Sequence, residues 1–376
     1  MNQHKSPRQV PQPLEHDYGV TPGEIIRFEL KARGLTQADL AARAGTSAKH
    51  LNQVIQDAVP LSADTALRLE RTLGIPATVL TQADGVNQAN KQRAKVRETL
   101  TDHHTWFAKF PKAALTELKI VTAKSSLEAQ IEDLLIYLGV ADPDAYDTVY
   151  GDGVLSFRRA QRWKANPYAT ALWLRSAELK AEDLDVAPYD KAAFTDLLDE
   201  LPELTLLPIG QAFPLLQARC ANVGVAVVYN PSIDGTRTSA AIRWLGPERP
   251  VIALAERGQF EDSLWFGFFH EAGHVLLHPR RKSVIELDGA DDEDGAETDA
   301  DNFAKKTILR GRRRELMKLE TREQIKALSK ELNIHPGLAA AIRAYDTDKD
   351  ALRFASKDAW RIASKLRRRL DVSVLP

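Results

Sequence analysis

The residues best suited to chemistry are His270, Glu271 and His274, which form the pattern His-Glu-x-x-His. Two histidines four positions apart lie on one face of a helix, so both imidazoles can reach a single metal ion. Glu271 follows the first histidine, where its carboxylate can accept a proton from water that the ion activates. We therefore predict a Zn²⁺ site in which His270 and His274 are metal ligands and Glu271 is the catalytic general base.

The segment that carries this pattern is rich in apolar side chains, which are Leu264, Phe268, Phe269, Leu276 and Leu277. This composition predicts a helix that is buried in a core. Burying two histidines and a glutamate without a metal would leave polar groups unpaired, which is costly. A metal site is therefore favoured over the alternative, in which the pattern has arisen by chance.

A catalytic zinc site usually has three protein ligands and one open position. The best third ligand is Glu297, which shares one face of a predicted helix with Asp301. We expect Asp301 to accept the other N–H of a ligand histidine, as carboxylates near zinc often do. His278, one turn beyond His274, is either a further neighbour of the metal or a hydrogen-bonding residue near the helix end. The alternative for residues 297–301 is the end of an acidic, solvated loop.

Composition and charge exclude several classes of protein. The chain has 376 residues, a formal net charge of -1 and one cysteine, Cys220. It is therefore no polycation built for nucleic acid, and it cannot form an internal disulfide or a zinc site made of cysteines. It shows neither a signal peptide nor an apolar run of about 18 residues, so we predict a cytoplasmic protein that makes no membrane contact.

The spacing of apolar residues predicts a mainly α protein with a small β-sheet. Five regions are expected: a disordered tail at 1–21, a compact helical domain at 22–82, a linker and helical middle region at 83–205, an α+β domain with the metal site at 206–310, and a helical C-terminal extension at 311–376. Residues 238–245 and 250–255 predict two strands joined by a turn. We expect the second strand to be an edge strand that binds an extended substrate by backbone hydrogen bonds.

The metal-site segments 270–279 (HEAGHVLLHP) and 297–304 (ETDADNFA) resemble motifs of the IrrE/ImmA family of bacterial metallopeptidases. The resemblance covers about residues 206–310 and implies a zincin-like fold, with gluzincin-like chemistry in which Glu297 is the third ligand. It also implies cleavage of a partner regulator and derepression of genes. The chain departs from the family at 299–301, where Asp-Ala-Asp replaces the usual Glu-Ala-Asn, and at 305–306, where two lysines interrupt an apolar stretch.

Residues 36–56 predict a helix, a glycine turn and a second helix, which is the arrangement of a DNA-binding helix-turn-helix. Side chains here that can reach phosphates or base edges are Thr36, Gln37, Arg43, Ser47, Lys49, His50, Asn52 and Gln53. Residues 34–41 and 61–69 resemble the XRE family, within it the HigA antitoxin type. Residues 22–80 carry seven Lys/Arg and six Asp/Glu, so DNA binding would depend on Arg43, Lys49 and dimerisation. A module that binds protein is the alternative.

These features together predict a zinc-dependent endopeptidase coupled to a DNA-binding helix-turn-helix. Its expected role is a homodimeric regulator that binds operator DNA and cleaves a repressor or antitoxin in a bacterial stress, phage or toxin–antitoxin response. The alternative function is a non-catalytic repressor or antitoxin with a structural or sensory metal. Glu271 favours the peptidase, because a purely structural site needs no base. A second helix-turn-helix pattern at 328–338 is at least as compatible with core packing.

Overall fold

The computed structural model describes residues 19–122, 125–150, 166–236, 238–256, 258–278, 283–287, 295–350 and 353–376, so the predicted tail lies almost wholly outside the described residues. The chain divides into two compact units, each with its own hydrophobic core. The N-terminal unit contains the described residues up to 105 together with 125–132. The C-terminal unit contains residues 106–122 and the described residues from 133 to the end. Within the described ranges, no helix is long and apolar enough to cross a membrane.

The N-terminal unit begins with five helices, α1 Pro22–Arg33, α2 Gln37–Ala44, α3 Ala48–Ile55, α4 Ala63–Leu73 and α5 Ala77–Leu100. A hydroxyl side chain before each of the first four accepts a hydrogen bond from the first turn and stabilises the helix start; these caps are Thr21, Thr36, Ser47 and Ser62. Left-handed glycines at 34, 45 and 74 end three of the helices, as predicted.

The predicted linker after residue 82 is wrong as far as residue 94, because this stretch lies inside the 24-residue helix α5. Its polarity suggested a loop, yet Gln, Lys, Arg and Ala are all good helix formers. A largely solvated helix needs only a few buried side chains, and in α5 these are Leu80, Asp84 and Leu100. The predicted boundary at 82/83 thus falls within a continuous helix of the N-terminal unit.

The middle region is helical, as predicted, with α6 His104–Phe107, α7 Lys112–Glu117, α8 Leu127–Leu138, α9 Pro143–Tyr150, α10 Pro167–Glu182 and α11 Lys191–Glu200 among the described residues. Helix α10 begins at Asn166, whose side chain caps the first turn. It packs against the β-sheet of the C-terminal unit, where the indole N–H of Trp173 donates to the carbonyl of Asn230 at 3.1 Å. Part of the predicted middle region therefore supports the sheet.

The sheet of the C-terminal unit contains β1 Ala226–Tyr229, β2 Thr238–Trp244, β3 Pro250–Leu254 and β4 Ser283–Leu287, in the order β1-β3-β2-β4. Strand β3 is parallel to β1 and antiparallel to β2. The two predicted strands and their turn are therefore confirmed. The prediction that 250–255 is a substrate-binding edge strand is wrong, because β3 is paired on both sides and its backbone donors are already used.

The helices of the C-terminal unit after α11 are α12 Ile209–Asn222, α13 Glu261–Leu277, α14 Ala296–Ile308, α15 Arg313–Leu316, α16 Arg322–Leu332, α17 Pro336–Asp350 and α18 Arg353–Ala363. Helix α13 packs on β2 and β3 and against α14 and α17. One core extends from Phe194 to Leu366, so the regions predicted as 206–310 and 311–376 share their interior. Within the helix-turn-helix pattern at 328–338, Leu328, Leu332 and Leu338 are buried in this core, which agrees with the core-packing alternative.

Candidate metal centre

Helix α13 carries the His-Glu-x-x-His pattern, and both of its ends are held by distant residues. The first turn contains Glu261 and Asp262, whose negative charges are stabilised by the positive end of the helix dipole. Arg368 pairs with Glu261 at 2.5 Å, and Arg367 pairs with Asp262 at 2.8 Å. At its other end, the Lys191 ammonium group donates to the carbonyl of Leu276 at 2.9 Å. These contacts fix the helix along its axis, and its apolar side chains fix it against the sheet.

The three predicted ligands, His270, His274 and Glu297, bring one donor atom each to a common point. Nε2 of His270 lies 3.1 Å from Nε2 of His274 and 3.2 Å from Oε2 of Glu297. Oε2 of Glu297 is also 3.5 Å from Nε2 of His274. Three atoms at these separations lie on a circle of about 1.9 Å radius, so one point can be about 2.0–2.1 Å from each, which is the length of zinc–ligand bonds.

Asp301 lies on the opposite side of the first histidine, where Nδ1 of His270 and Oδ1 of Asp301 are 3.1 Å apart. An imidazole that donates its Nδ1–H to a carboxylate keeps a lone pair on Nε2 when neutral. That lone pair faces Oε2 of Glu297, a second electron-rich atom. The two repel each other unless a cation or a proton lies between them. The donor set and its orientation therefore fit a divalent metal ion.

Burial alone would raise the pKa of Glu297, but hydrogen bonds with His270 and His274 outweigh burial and hold the pKa well below its usual range. Glu297 is thus a carboxylate at neutral pH. It lies in the first turn of α14, after the left-handed residue Gly295, and not in a solvated loop. Its side chain is 21% exposed, whereas those of His270 and His274 are 3% and 0% exposed. The open side of the cluster is therefore next to the carboxylate.

Gly273 explains how α14 comes close enough to supply this carboxylate. A Cβ atom at residue 273 would lie 3.2 Å from Cα of Ala300 and 3.2 Å from Cδ1 of Phe303. Both distances are tighter than ordinary van der Waals contact, so only glycine allows this approach without a shift. The short approach places Glu297 and Asp301 against the two histidines. This role could not be predicted from the sequence, because the two inner positions of the His-Glu-x-x-His pattern accept any residue type.

The remaining predicted site residues on α13 occupy different positions. Glu271 is fully buried directly after His270. His278 is the C-terminal cap of the helix, and its ring lies 5.5 Å from that of His274. Its nitrogens are not among the three converging ligand atoms. The position of His278 thus agrees with the expected helix-end residue better than with a further metal neighbour.

The predicted DNA-contacting residues lie on α2, α3 and their caps. Gln37, Arg43 and Lys49 are exposed. Thr36 and Ser47 are exposed too, but their hydroxyls act as helix caps. His50 is half-buried, with Nε2 3.4 Å from the hydroxyl of Thr65 on α4.

The two amides on α3 are half-buried, and Asn52 accepts a 3.4 Å hydrogen bond from Gln56. Gln53 lies beside it on the same helix. Other arginines of this region bond to backbone carbonyls within it, as Arg27 does to Ile55 and Arg33 to Leu73. Among the predicted DNA-contacting residues, Arg43 and Lys49 are the two that carry a positive charge, and both are exposed.

Residues 26–80 match a helix-turn-helix family model. The match and the paired helices α2 and α3 confirm the predicted helix-turn-helix and indicate a DNA-binding regulator. No curated protein matches the chain.

One charged residue near the candidate metal centre, Lys305, was not predicted from the sequence as part of the site. Lys305 is buried one turn after Asp301, and its ammonium nitrogen lies 3.5 Å from Oδ2 of that carboxylate. The spacing of four residues between an aspartate and a lysine on a predicted helix was an available signal. The burial of Lys305 had no signal, because it depends on α17, a helix about 40 residues away in the chain.

Proposed function

We propose that the chain is a zinc-dependent endopeptidase coupled to a DNA-binding helix-turn-helix, and that it regulates genes by cleaving a specific partner protein. The observation that carries this proposal is the convergence of Nε2 of His270, Nε2 of His274 and Oε2 of Glu297. Two imidazoles and one carboxylate form a set of three ligands that leaves a position open for substrate or water. The resemblance of both motifs to the IrrE/ImmA family supports the same reaction.

Each residue of the centre has a separate task in this proposal. When bound, zinc supplies Lewis acidity, which polarises a peptide carbonyl and makes water more acidic. His270, His274 and Glu297 hold the ion, and Asp301 keeps His270 in the tautomer whose Nε2 can bind it. Glu271 accepts the proton of the attacking water at its carboxylate and then donates it to the leaving amine.

The direct test of the peptidase is Glu271→Gln, assayed with the purified full-length chain and the proteins encoded by neighbouring genes. We expect this variant to bind zinc as the wild type does and to lose cleavage of the partner, by about 100-fold or more. The matched control is Asp299→Asn, which removes an exposed carboxylate from α14 and should leave cleavage unchanged. Equal cleavage by the wild type and Glu271→Gln would reject the proposed base.

The second candidate function is a non-catalytic repressor or antitoxin with a structural or sensory metal. The observation that favours it is burial, because His274 and Glu271 are both 0% exposed. A hydroxamate that binds open zinc sites separates the two functions. It should change the visible spectrum of the Co²⁺-substituted protein if a ligand can reach the metal. An unchanged spectrum together with salt-dependent DNA binding would support the non-catalytic function.

We further propose that the regulator binds operator DNA as a homodimer. The module at 22–80 has a net charge of only +1. Phosphate contacts supply much of the affinity of such proteins, so a single module should bind weakly. Sedimentation of the full-length chain, alone and with a duplex that carries two half-sites, tests this. Binding of one copy with unchanged affinity for a single half-site would contradict the dimer.

A further inference from the structure

The charged residue beside the proposed metal centre, Lys305, belongs to a row of four charges whose two middle members, Lys305 and Asp346, are buried. Its ammonium nitrogen lies 3.5 Å from Oδ2 of Asp301 on α14 and 3.0 Å from Oδ1 of Asp346 on α17. The other oxygen of Asp346 accepts a 2.6 Å hydrogen bond from Nε of Arg313. The signs alternate along the row, and its first carboxylate, Asp301, lies against Nδ1 of His270.

This row is deeply buried where it meets the core. Lys305 is 7% exposed and Asp346 is 1% exposed. Charges at such positions lose their hydration, and a well-packed apolar side chain in the same place is often as stable or more stable. The stability of the fold is therefore a poor reason for a lysine at position 305. A lysine at position 305 can instead attract the carboxylate of Asp301 and limit its movement.

We propose that Lys305 is a positioning residue for the metal centre. It holds Asp301 by Oδ2, so that Oδ1 of Asp301 stays on Nδ1 of His270 and Nε2 of that histidine faces the other two ligands. Asp346 and Arg313 hold Lys305 in turn, which makes α15 and α17 part of the support of the site. This inference rests on the proposed metal site, and it explains why the centre shares a core with the C-terminal helices.

Lys305 can act on the histidine because the carboxylate of Asp301 would otherwise be free to rotate. A side chain held by one oxygen can turn about its bonds, and the histidine that it orients then samples other ring positions. A charged partner 3.5 Å from the second oxygen restricts this rotation by electrostatic attraction, which is screened less at a partly buried site than in water. The loss of Lys305 should therefore reach the metal only through Asp301.

A double-mutant cycle on zinc affinity tests this route. Full-length wild type, Lys305→Met, Asp301→Asn and the double variant are titrated with zinc against a chromophoric chelator. We expect Asp301→Asn to weaken zinc binding about 10- to 100-fold, as is usual for partners of ligand histidines, and Lys305→Met to weaken it about fivefold. In the double variant, Lys305→Met should add nothing to the effect of Asp301→Asn, because its route is already broken.

Three further variants keep the test informative. Lys306→Met removes the exposed lysine next in the chain and should bind zinc as the wild type does. Lys305→Arg keeps the charge and should restore most of the affinity, and Asp346→Asn should weaken binding less than Lys305→Met does. If Lys305→Met does not fold, the inference is tested with Lys305→Arg and Asp346→Asn. For these two variants, zinc affinity and the shift of the Co²⁺ absorption bands are compared with the wild type.

Two outcomes would overturn the inference while leaving the proposed function intact. One is a wild type that binds zinc while Lys305→Met binds it equally well and only melts at a lower temperature. The other is an effect of Lys305→Met that persists in full in the Asp301→Asn background. A wild type that binds no zinc would instead reject the proposed function itself, and the two failures are thereby distinguishable.

Discussion

The helix-turn-helix and the proposed metal centre place their functional residues in opposite environments. Around α2 and α3, the side chains suited to DNA are exposed or half-buried, and the core beneath them consists of apolar residues such as Leu40 and Leu51. In the metal centre, His270, Glu271 and His274 are buried within the core itself. Apart from the helix caps Thr36 and Ser47, the first arrangement separates folding from function, whereas the second makes polar residues part of the interior.

This difference predicts different responses to substitution. Exposed contact residues can change with little effect on folding, because surface side chains contribute little to stability. Residues of a buried centre affect packing, orientation and metal affinity together. Substitutions in the two regions test this contrast.

The largest effect is expected for His274→Ala. It removes one of three ligands, so zinc affinity should fall by more than the roughly 10- to 100-fold that accompanies loss of an outer partner. DNA affinity of the same protein should stay within about twofold of the wild type, because the helix-turn-helix belongs to a separate compact unit with its own hydrophobic core. Chelator competition and filter binding measure the two quantities. Equal losses of zinc affinity and DNA affinity would contradict the proposed independence of the two regions. The control is His278→Ala, at the C-terminal cap of the same helix.

The next effect concerns the close approach at Gly273. Gly273→Ala forces Ala300 and Phe303 to move by a few tenths of an ångström, and such overpacking usually lowers the free energy of unfolding by about 1–3 kcal/mol. The matched control is Gly267→Ala on the same helix, where the new Cβ would meet Ala240 at an ordinary 3.5 Å.

Gly267→Ala should be neutral or stabilising by up to about 1 kcal/mol, because alanine favours helices over glycine. Urea unfolding and zinc titration of both variants measure the difference. Equal unfolding free energies and equal zinc affinities for the two variants would show that the approach of α14 does not depend on Gly273.

On the helix-turn-helix, Lys49→Ala should act on DNA alone. Removing one phosphate contact should reduce the slope of log affinity against log salt by about 1 and weaken binding to all sequences similarly. Lys326→Ala removes an exposed lysine from α16 in the other unit and should leave the slope unchanged. If both variants retain the wild-type salt slope, the predicted DNA-contacting surface is wrong.

The smallest effect is a pH dependence in the C-terminal unit. Burial, and to a lesser extent the charge of Arg368, lowers the pKa of His335 to about 4. The unfolded chain therefore binds more protons than the folded one between about pH 6.5 and 4, and His335 makes the protein less stable as pH falls through this window. His335→Gln should flatten the fall in melting temperature between pH 7 and 4. An unchanged pH profile would contradict the lowered pKa.

The sequence predicted much of the site because its signals are local. The spacing of His270 and His274 fixes one face of a helix, and that of Glu297 and Asp301 fixes another. The caps Thr36 and Ser62 and the glycines that end α1, α2 and α4 likewise act within a few residues.

What the sequence could not predict depends on distant pairing. The interior position of β3, the burial of Lys305 against Asp346 and the lowered pKa of His335 require residues far apart in the chain to meet. The linker predicted as far as residue 94 is helical for a different reason, because average polarity does not distinguish a solvated helix from a loop.

The most direct test of the metal centre is X-ray absorption at the zinc edge, combined with the zinc content of the purified chain. We predict one zinc per chain, with two imidazole nitrogens and carboxylate oxygen at about 2.0–2.1 Å, and loss of the metal in a His270→Ala, His274→Ala double variant. Wild-type protein that lacks stoichiometric zinc after growth and purification with zinc would contradict the account. So would an unchanged zinc spectrum in the double variant.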